Sequence, residues 1–457
     1  VTIRRVLAVL TVLLFVEDQD TIYAKEWLGP FSWLHNSFFF LKMPHMVRPF
    51  DHVLLLCLVL ALGKSEGKGP RVAPMRSMLL LSAWTIFAWL VLGLVRGGDI
   101  RWGCWQVYIL LSGILFAFTI AANFRSPQHY AMLAKGLLIA AAYRAVMCWI
   151  FYFTYVRPMV IPIPEYITSH DDSVLWVVAI LLLVLRIMRT TRIGERIGSV
   201  LFILLLLGAI QFNTRRLAWV SLAMGLVVLF LLMPPGRARR QAKRMLLVMV
   251  PVMALYVGIG WGRTERIFKP LAALSSVTTT GGQEDLSTKS RDVENLGLIH
   301  TAQANGWLIG TGWGHQYQPV SMKFDLGQYF ELWRYIPHNS ILGLFAFMGA
   351  AGYCGYWLAY PTAMFLNARM AKMAKSEGAR DVGLIAAVQM VVCVNQYFGD
   401  MGTFSYKVVY IMSTSFAIAL RMPILSGAWA AAGAKVPRPA QAAAPQEAQR
   451  PEGAWQS

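Results

Sequence analysis

Long apolar runs alternate with short polar connections along nearly the whole chain. A spanning helix needs about 20 apolar residues, or somewhat fewer where its ends snorkel, and on that rule the pattern predicts about twelve membrane helices. They fall near 3–16, 50–63, 77–96, 105–123, 136–156, 174–188, 197–213, 217–234, 245–262, 339–365, 382–399 and 404–422. The first two are short. The stretch "FSWLHNSFFFL" (31–41), rich in Trp and Phe, reads as interfacial. The expected fold class is all-α, a polytopic integral membrane protein with one large external loop containing helices. Residues 1–262 would hold nine spans, 263–338 the loop, 339–425 three more spans, and 426–457 an Ala/Pro-rich tail with too little periodicity to fold.

Composition supports lipid as the surrounding solvent. Hydrophobic residues make up 57% of the chain and charged residues 14%, too few to cover the surface of a soluble protein of this length. The net charge of +19 would suit nucleic acid only if gathered on a soluble face. Here the basic residues stand in clusters between apolar runs, so no nucleic-acid partner is expected. The five cysteines lie far apart and form no CxxC pair, which reads as small apolar residues in helices. Arg4 and Arg5 before the first apolar run imitate a signal peptide, but no small-x-small cleavage pattern follows, and an uncleaved first helix is expected.

Charge then orients the spans. Basic clusters occupy every second connection: Lys64 to Arg76, Arg125 with Lys135, Arg186 to Arg196, Arg237 to Arg244, and Arg369 to Arg380. Alternate connections carry acids, as in "VEDQD" (16–20) and "SHDDS" (169–173). The positive-inside rule puts both termini in the cytoplasm. By that count the turn "NTRR" lies outside, where Arg215 and Arg216 run against the rule. Two readings stand. The pair can snorkel to outer-leaflet phosphates, or it can bind an anion with planar guanidinium forks helped by the positive end of the helix it begins.

The long segment 263–338 lies on the same side, and loops of that length are usually functional. Within it "KSRDVENLGLIHTAQANGWLIG" reads as a helix, with Ser290 as cap, Arg291 at its start, Asp292 and Glu294 in its first turn, and Leu296, Ile299 and Ala302–Gln303 at helical spacing. "GTGWGH" (310–315) is too weak for a nucleotide signature and reads as a tight turn. The loop closes with Pro337 and His338, and Asn339 or Ser340 caps the next span. A lone interfacial His is either a hydrogen-bonded structural residue or, at the mouth of a bundle beside Arg215, a proton acceptor that titrates near neutral pH. Further polar residues lie at membrane depth. Arg144 is a cavity-lining candidate or the buried partner of a carbonyl; Gln389, Asn395 and Gln396 mark the eleventh helix; Lys407 begins the twelfth.

Taken in order, "NTRRLAWVSL", "SRDVENLGLIHTAQANGWLIGTGWG" and "PHNSILGLFAFMG" resemble the bacterial O-antigen ligase and polymerase family of polytopic glycosyltransferases, over roughly residues 200–365. Each motif is loose; their order, sidedness and loop length carry the likeness. The resemblance places the family's helix-start arginine on Arg215, its loop-helix arginine on Arg291 and its histidine on His338. It implies transfer of a glycan from an undecaprenyl-pyrophosphate carrier at the periplasmic face of the bacterial inner membrane. In the ligase branch the acceptor is a lipid A–core hydroxyl, and no metal or other cofactor is needed. Cation density from Arg215, Arg291, Arg216, Arg266 and Lys407 would hold the donor pyrophosphate, and His338 would take the acceptor's proton, in one inverting displacement.

Polymerase or protein oligosaccharyltransferase activity would use the same chemistry on another acceptor. A second enzyme reading uses Asp18 and Asp20, an Asp-x-Asp spaced to hold a divalent metal against pyrophosphate. A transporter of lipid-linked sugar is the reading outside enzymes, disfavoured because the two halves show no paired broken helices.

Overall fold

The computed structural model describes residues 2–17, 31–34, 48–158, 167–261, 263, 268, 271, 286–321, 326–328 and 331–430. Among these the chain is helical, with no strand. The helices are α1 (Thr2–Val16), α2 (Pro49–Leu62), α3 (Ala73–Val95), α4 (Ile100–Asn123) and α5 (Pro127–Phe151, continued by a π turn to Val156). Next come α6 (His170–Arg189), α7 (Ile193–Asn213), α8 (Arg216–Leu232) and α9 (Arg237–Gly260). After them follow α10 (Leu286–Asn305), α11 (Ser340–Trp357), α12 (Ala359–Met373), α13 (Glu377–Gly399) and α14 (Tyr406–Leu425). Ends aside, each apolar segment expected to span is helical over its described residues, that near 339–365 as two helices. Among the described residues, eight helical segments are long and apolar enough to cross a membrane. The protein is therefore a multi-pass membrane protein in character.

The exposed face of α9 shows why lipid is required. Leu247 is 78% exposed and Leu255 64%, with Val248, Val250 and Val252 beside them. An apolar face this continuous is untenable in water and ordinary against acyl chains. At the other extreme α14 is buried over almost its whole length, and α4 and α13 lie against it. Polar side chains of the neighbouring helices bond to it inside the protein. Gln389 donates to Ile411 O and Ser415 Oγ at 3.1 and 2.6 Å, and Asn367 to Ser415 O at 3.2 Å.

Several local expectations change. The helix in the 263–338 segment begins at Leu286, so Ser290 and Arg291 sit inside it instead of at its start, and Ser290 is not its cap. It stops at Asn305, before "GWLIG", because Gly306 turns left-handed at φ +86°. The span expected near 339–365 is two helices, α11 and α12, and α11 itself kinks at Gly349. "SHDDS" is a connection only at Ser169: His170, Asp171 and Asp172 form the first turn of α6, with both carboxylates buried. Acids suit a helix N-terminus, and Asp172 has a buried cationic partner. Only 31–34 of the stretch expected to be interfacial is described, as a single helical turn at Ser32–Leu34. The tail from 431 onward lies outside the described residues, as do Asp18, Asp20 and Arg266.

The "GTGWG" stretch is a latch in place of a simple turn. It runs between α3 and α11, where Gly312 N donates to Phe347 O at 2.8 Å and Trp313 N to Trp89 O at 3.2 Å. Gly312 has φ +86°, and a Cβ there would lie 2.4 Å from the Cα of Gly93. Only glycine permits that approach. Opposite it, Gly349 breaks α11 at φ +59°, and the freed amides of Ala350 and Ala351 donate to Trp307 O and Leu308 O at 2.7 and 3.0 Å. Loop carbonyls thus replace the helix's own acceptors.

Candidate active site

The motif "NTRR" builds the first wall of the site. Asn213, the last residue of α7, is fully buried, and its Oδ1 accepts from Ile167 N and Thr168 N at 3.0 and 2.9 Å. Its Nδ2 donates to Ser173 Oγ at 3.0 Å. These bonds clip the entry of α6 onto the end of α7. Thr214 then adopts a left-handed conformation, φ +52°, which reverses the chain and makes Arg215 the N-cap residue of α8. The consequence is a contact between the two helix starts: Arg215 Nη2 lies 2.8 Å from His170 Nε2.

That contact dictates a tautomer. A guanidinium only donates, so His170 Nε2 accepts and its proton resides on Nδ1. His170 Nδ1 meets the carboxylate of Asp400, the residue that ends α13. Burial alone would raise the Asp400 carboxyl. His170 and the guanidinium groups of Arg215 and Arg291 outweigh it and hold the group well below the ordinary carboxylate range. Arg291 arrives from α10 and donates from Nη1 to Gly399 O at 2.9 Å.

The third side is His338. Met401 N donates to His338 O at 2.7 Å, which ties the histidine to the same short segment, 399–401. Glu294, one helical turn beyond Arg291 on α10, is 3% exposed. Its carboxylate lies 3.2 Å from His338 Nδ1 and accepts from His338 N at the same distance. A carboxylate against Nδ1 leaves Nε2 as the ring's acceptor, and among the described residues nothing engages it. Asn339 caps α11, accepting from Leu342 N at 3.1 Å, as the sequence led us to expect. Ser340 Oγ instead accepts from Thr403 N at 3.4 Å and steadies the far side of the 399–401 turn.

Arg215, Arg291 and His338, spread over more than a hundred residues of sequence, therefore meet around one three-residue turn. Arg216 begins α8 beside them and is exposed. Of the other candidates, Gln396 bonds this turn and the rest stand elsewhere. Arg144 is 3% exposed and forms a bidentate pair with Asp172, at 3.0 and 2.7 Å. Lys407 is fully buried, 3.6 Å from Glu17 Oε2 and 4.0 Å from Asp172 Oδ1. Both belong to an ionic cluster below the site that joins α1, α5, α6 and α14. Asn395 donates to Ser221 Oγ at 2.7 Å and Gln396 to Asp400 O at 3.2 Å. Gln389 does line a cavity, though a different one from this site.

Sequence reasoning missed His170 and Asp400 and saw in Glu294 only a helix-start acid. The available signal was sidedness: His170 heads one apolar run and Asp400 ends another on the face that carries "NTRR".

No protein-family model matches the chain, and no curated protein does either. The functional reading rests on the residues themselves.

Proposed function

We propose that the chain is a membrane glycosyltransferase of the O-antigen ligase type, with about twelve spans and its active site on the periplasmic face of a bacterial inner membrane. It transfers a glycan from undecaprenyl pyrophosphate to a hydroxyl of lipid A–core. The convergence of Arg215, Arg291 and the Glu294–His338 pair on residues 399–401 carries this reading.

The chemistry follows from the groups present. Pyrophosphate departs readily once its growing charge is neutralised, and preorganised guanidinium groups do that without reorganising. The acceptor hydroxyl gives its proton to His338 Nε2 as its oxygen bonds to the sugar's anomeric carbon. The bond from that carbon to phosphate oxygen breaks on the opposite face, its electron pair passing to the pyrophosphate held by Arg215, Arg291 and Arg216. Glu294 keeps the Nδ1 proton in place and stabilises the imidazolium formed. The anomeric centre inverts.

The test is transfer by purified protein in detergent, with carrier-linked glycan as donor and lipid A–core as acceptor. His338→Ala should lower the rate about 10²–10⁴-fold and Arg215→Ala about 10²–10³-fold, with helicity unchanged. Folded variants that keep full activity overturn the reading. A second carrier-linked glycan offered in place of lipid A–core distinguishes ligase from polymerase.

A further inference from the structure

At the other end of the bundle lies a cavity of 440 Å³ that the proposed reaction does not use. Its closed end is made by Phe15, Phe116, Gln389, Tyr410 and Ile411, all buried. Its open end lies between the first turns of α5 and α13, where Gln128, Ala131 and Gly378 are exposed and Ala134 is half-exposed. The two helices touch at their starts, since a Cβ on Gly378 would sit 3.3 Å from Pro127 Cβ, and the lining residues of both run on from that contact into the cavity. From Gly378 to Gln389 the cavity follows α13 for about 16 Å.

The polar groups along this cavity are already satisfied. Thr11 and Thr414 donate to carbonyls of their own helices at 2.8 and 3.0 Å. Gln389 donates to Ile411 O and Ser415 Oγ, and Tyr410 pairs with Ser112. Nothing at the closed end asks for a hydrogen-bonding ligand. Such a space stays dry, and hydrocarbon filling it recovers the missing dispersion contacts. The mouth is different. Arg189 pairs with the lining residue Asp381 at 3.0 Å and also with Glu377, and Arg4 bonds His129 at 2.8 Å, beside Gln128. Arg125 joins the same ring through its backbone amide. With Arg189 answered by two carboxylates, Arg4 and Arg125 around His129 leave a surplus of positive charge over the apolar slot, which suits a fatty chain headed by a phosphate.

We infer that this cavity holds one acyl chain of a phospholipid, drawn sideways between α5 and α13 from the leaflet at the basic end of the bundle. The adjacent bilayer supplies that chain directly at a lateral gap, and the site is independent of the transferase reaction.

Protein purified in mild detergent and exchanged extensively should retain about one phospholipid per chain by native mass spectrometry and solvent extraction. Ala134→Trp and Ile385→Trp, each placing a ring in the slot, should lower that occupancy at least about tenfold, a loss of roughly 1.4 kcal/mol or more. Where neither variant folds, wild-type protein decides. A phospholipid with a diazirine near its chain terminus should crosslink to Phe116 or Ile411 at the closed end. Crosslinks confined to outward faces, retention of lipid in both filled variants, or recovery of only polyisoprenyl lipid or detergent would each overturn the inference.

Discussion

At the scale of single residues, the most informative contact is Glu294 on His338 Nδ1. An imidazole that must accept a proton at Nε2 needs its other nitrogen protonated and its developing charge answered, and a buried carboxylate does both. Glu294→Gln keeps the size and the backbone contact but removes the charge. Transfer should fall about 10²–10⁴-fold, because the imidazolium formed on proton transfer loses its counter-charge. A purely structural Glu294 would leave the rate of a folded variant at the wild-type level, so activity measured beside helicity is decisive. Arg215 was legible in the sequence because charge on the acid-lined side of an apolar chain contradicts topology, whereas Arg291 and His338 drew notice by their places in the long loop and by the family resemblance. Glu294, His170 and Asp400 were not legible. An acid or a histidine at a helix end is expected there for the dipole alone, and its second role exists only once a distant segment arrives.

At the scale of elements, helices were visible from apolar runs, whereas their boundaries and docking were not. Polar first turns such as "HDD" at the head of α6 look like connections until a buried partner, Arg144, accounts for them. The latch through "GTGWG" was hidden for a similar reason: three glycines signal unusual backbone without saying what approaches. The structure gives Gly312 two independent requirements, a left-handed φ and contact with Gly93. Gly312→Ala should therefore destabilise the protein by about 1–3 kcal/mol from overpacking alone, with left-handed strain of roughly 1–2 kcal/mol added. Since α10 leads from the site into the latch, thermal unfolding should shift and protease should cut between 306 and 321 sooner than in wild type. An unchanged melting transition with unchanged cleavage would show that the stretch lies loosely on the surface.

For the whole molecule, the two ends of the bundle differ in kind. At one, Arg215, Arg291, His170 and His338 gather around a turn whose carboxylate is held ionised. At the other, Arg4, Arg189, Arg380 and Arg421 hold carbonyls and acids where α5 and α13 begin and where α4 and α14 end. Between them the pairs Arg144–Asp172 and Lys407–Glu17 are sealed from solvent. Removing one partner of such a pair strands a charge, at a cost of about 3–5 kcal/mol, so the cluster fixes how α1, α5, α6 and α14 register. The basic end is the one that the positive-inside rule retains in the cytoplasm, which requires the Arg215 end to face outward. Single cysteines decide this after the exposed Cys354 and half-buried Cys104 are replaced by serine. Arg216→Cys should react with a membrane-impermeant maleimide in intact spheroplasts, and Arg192→Cys only after permeabilisation. The reverse pattern would put the guanidinium cluster in the cytoplasm, away from any exported glycan, and the transferase reading would fall with it.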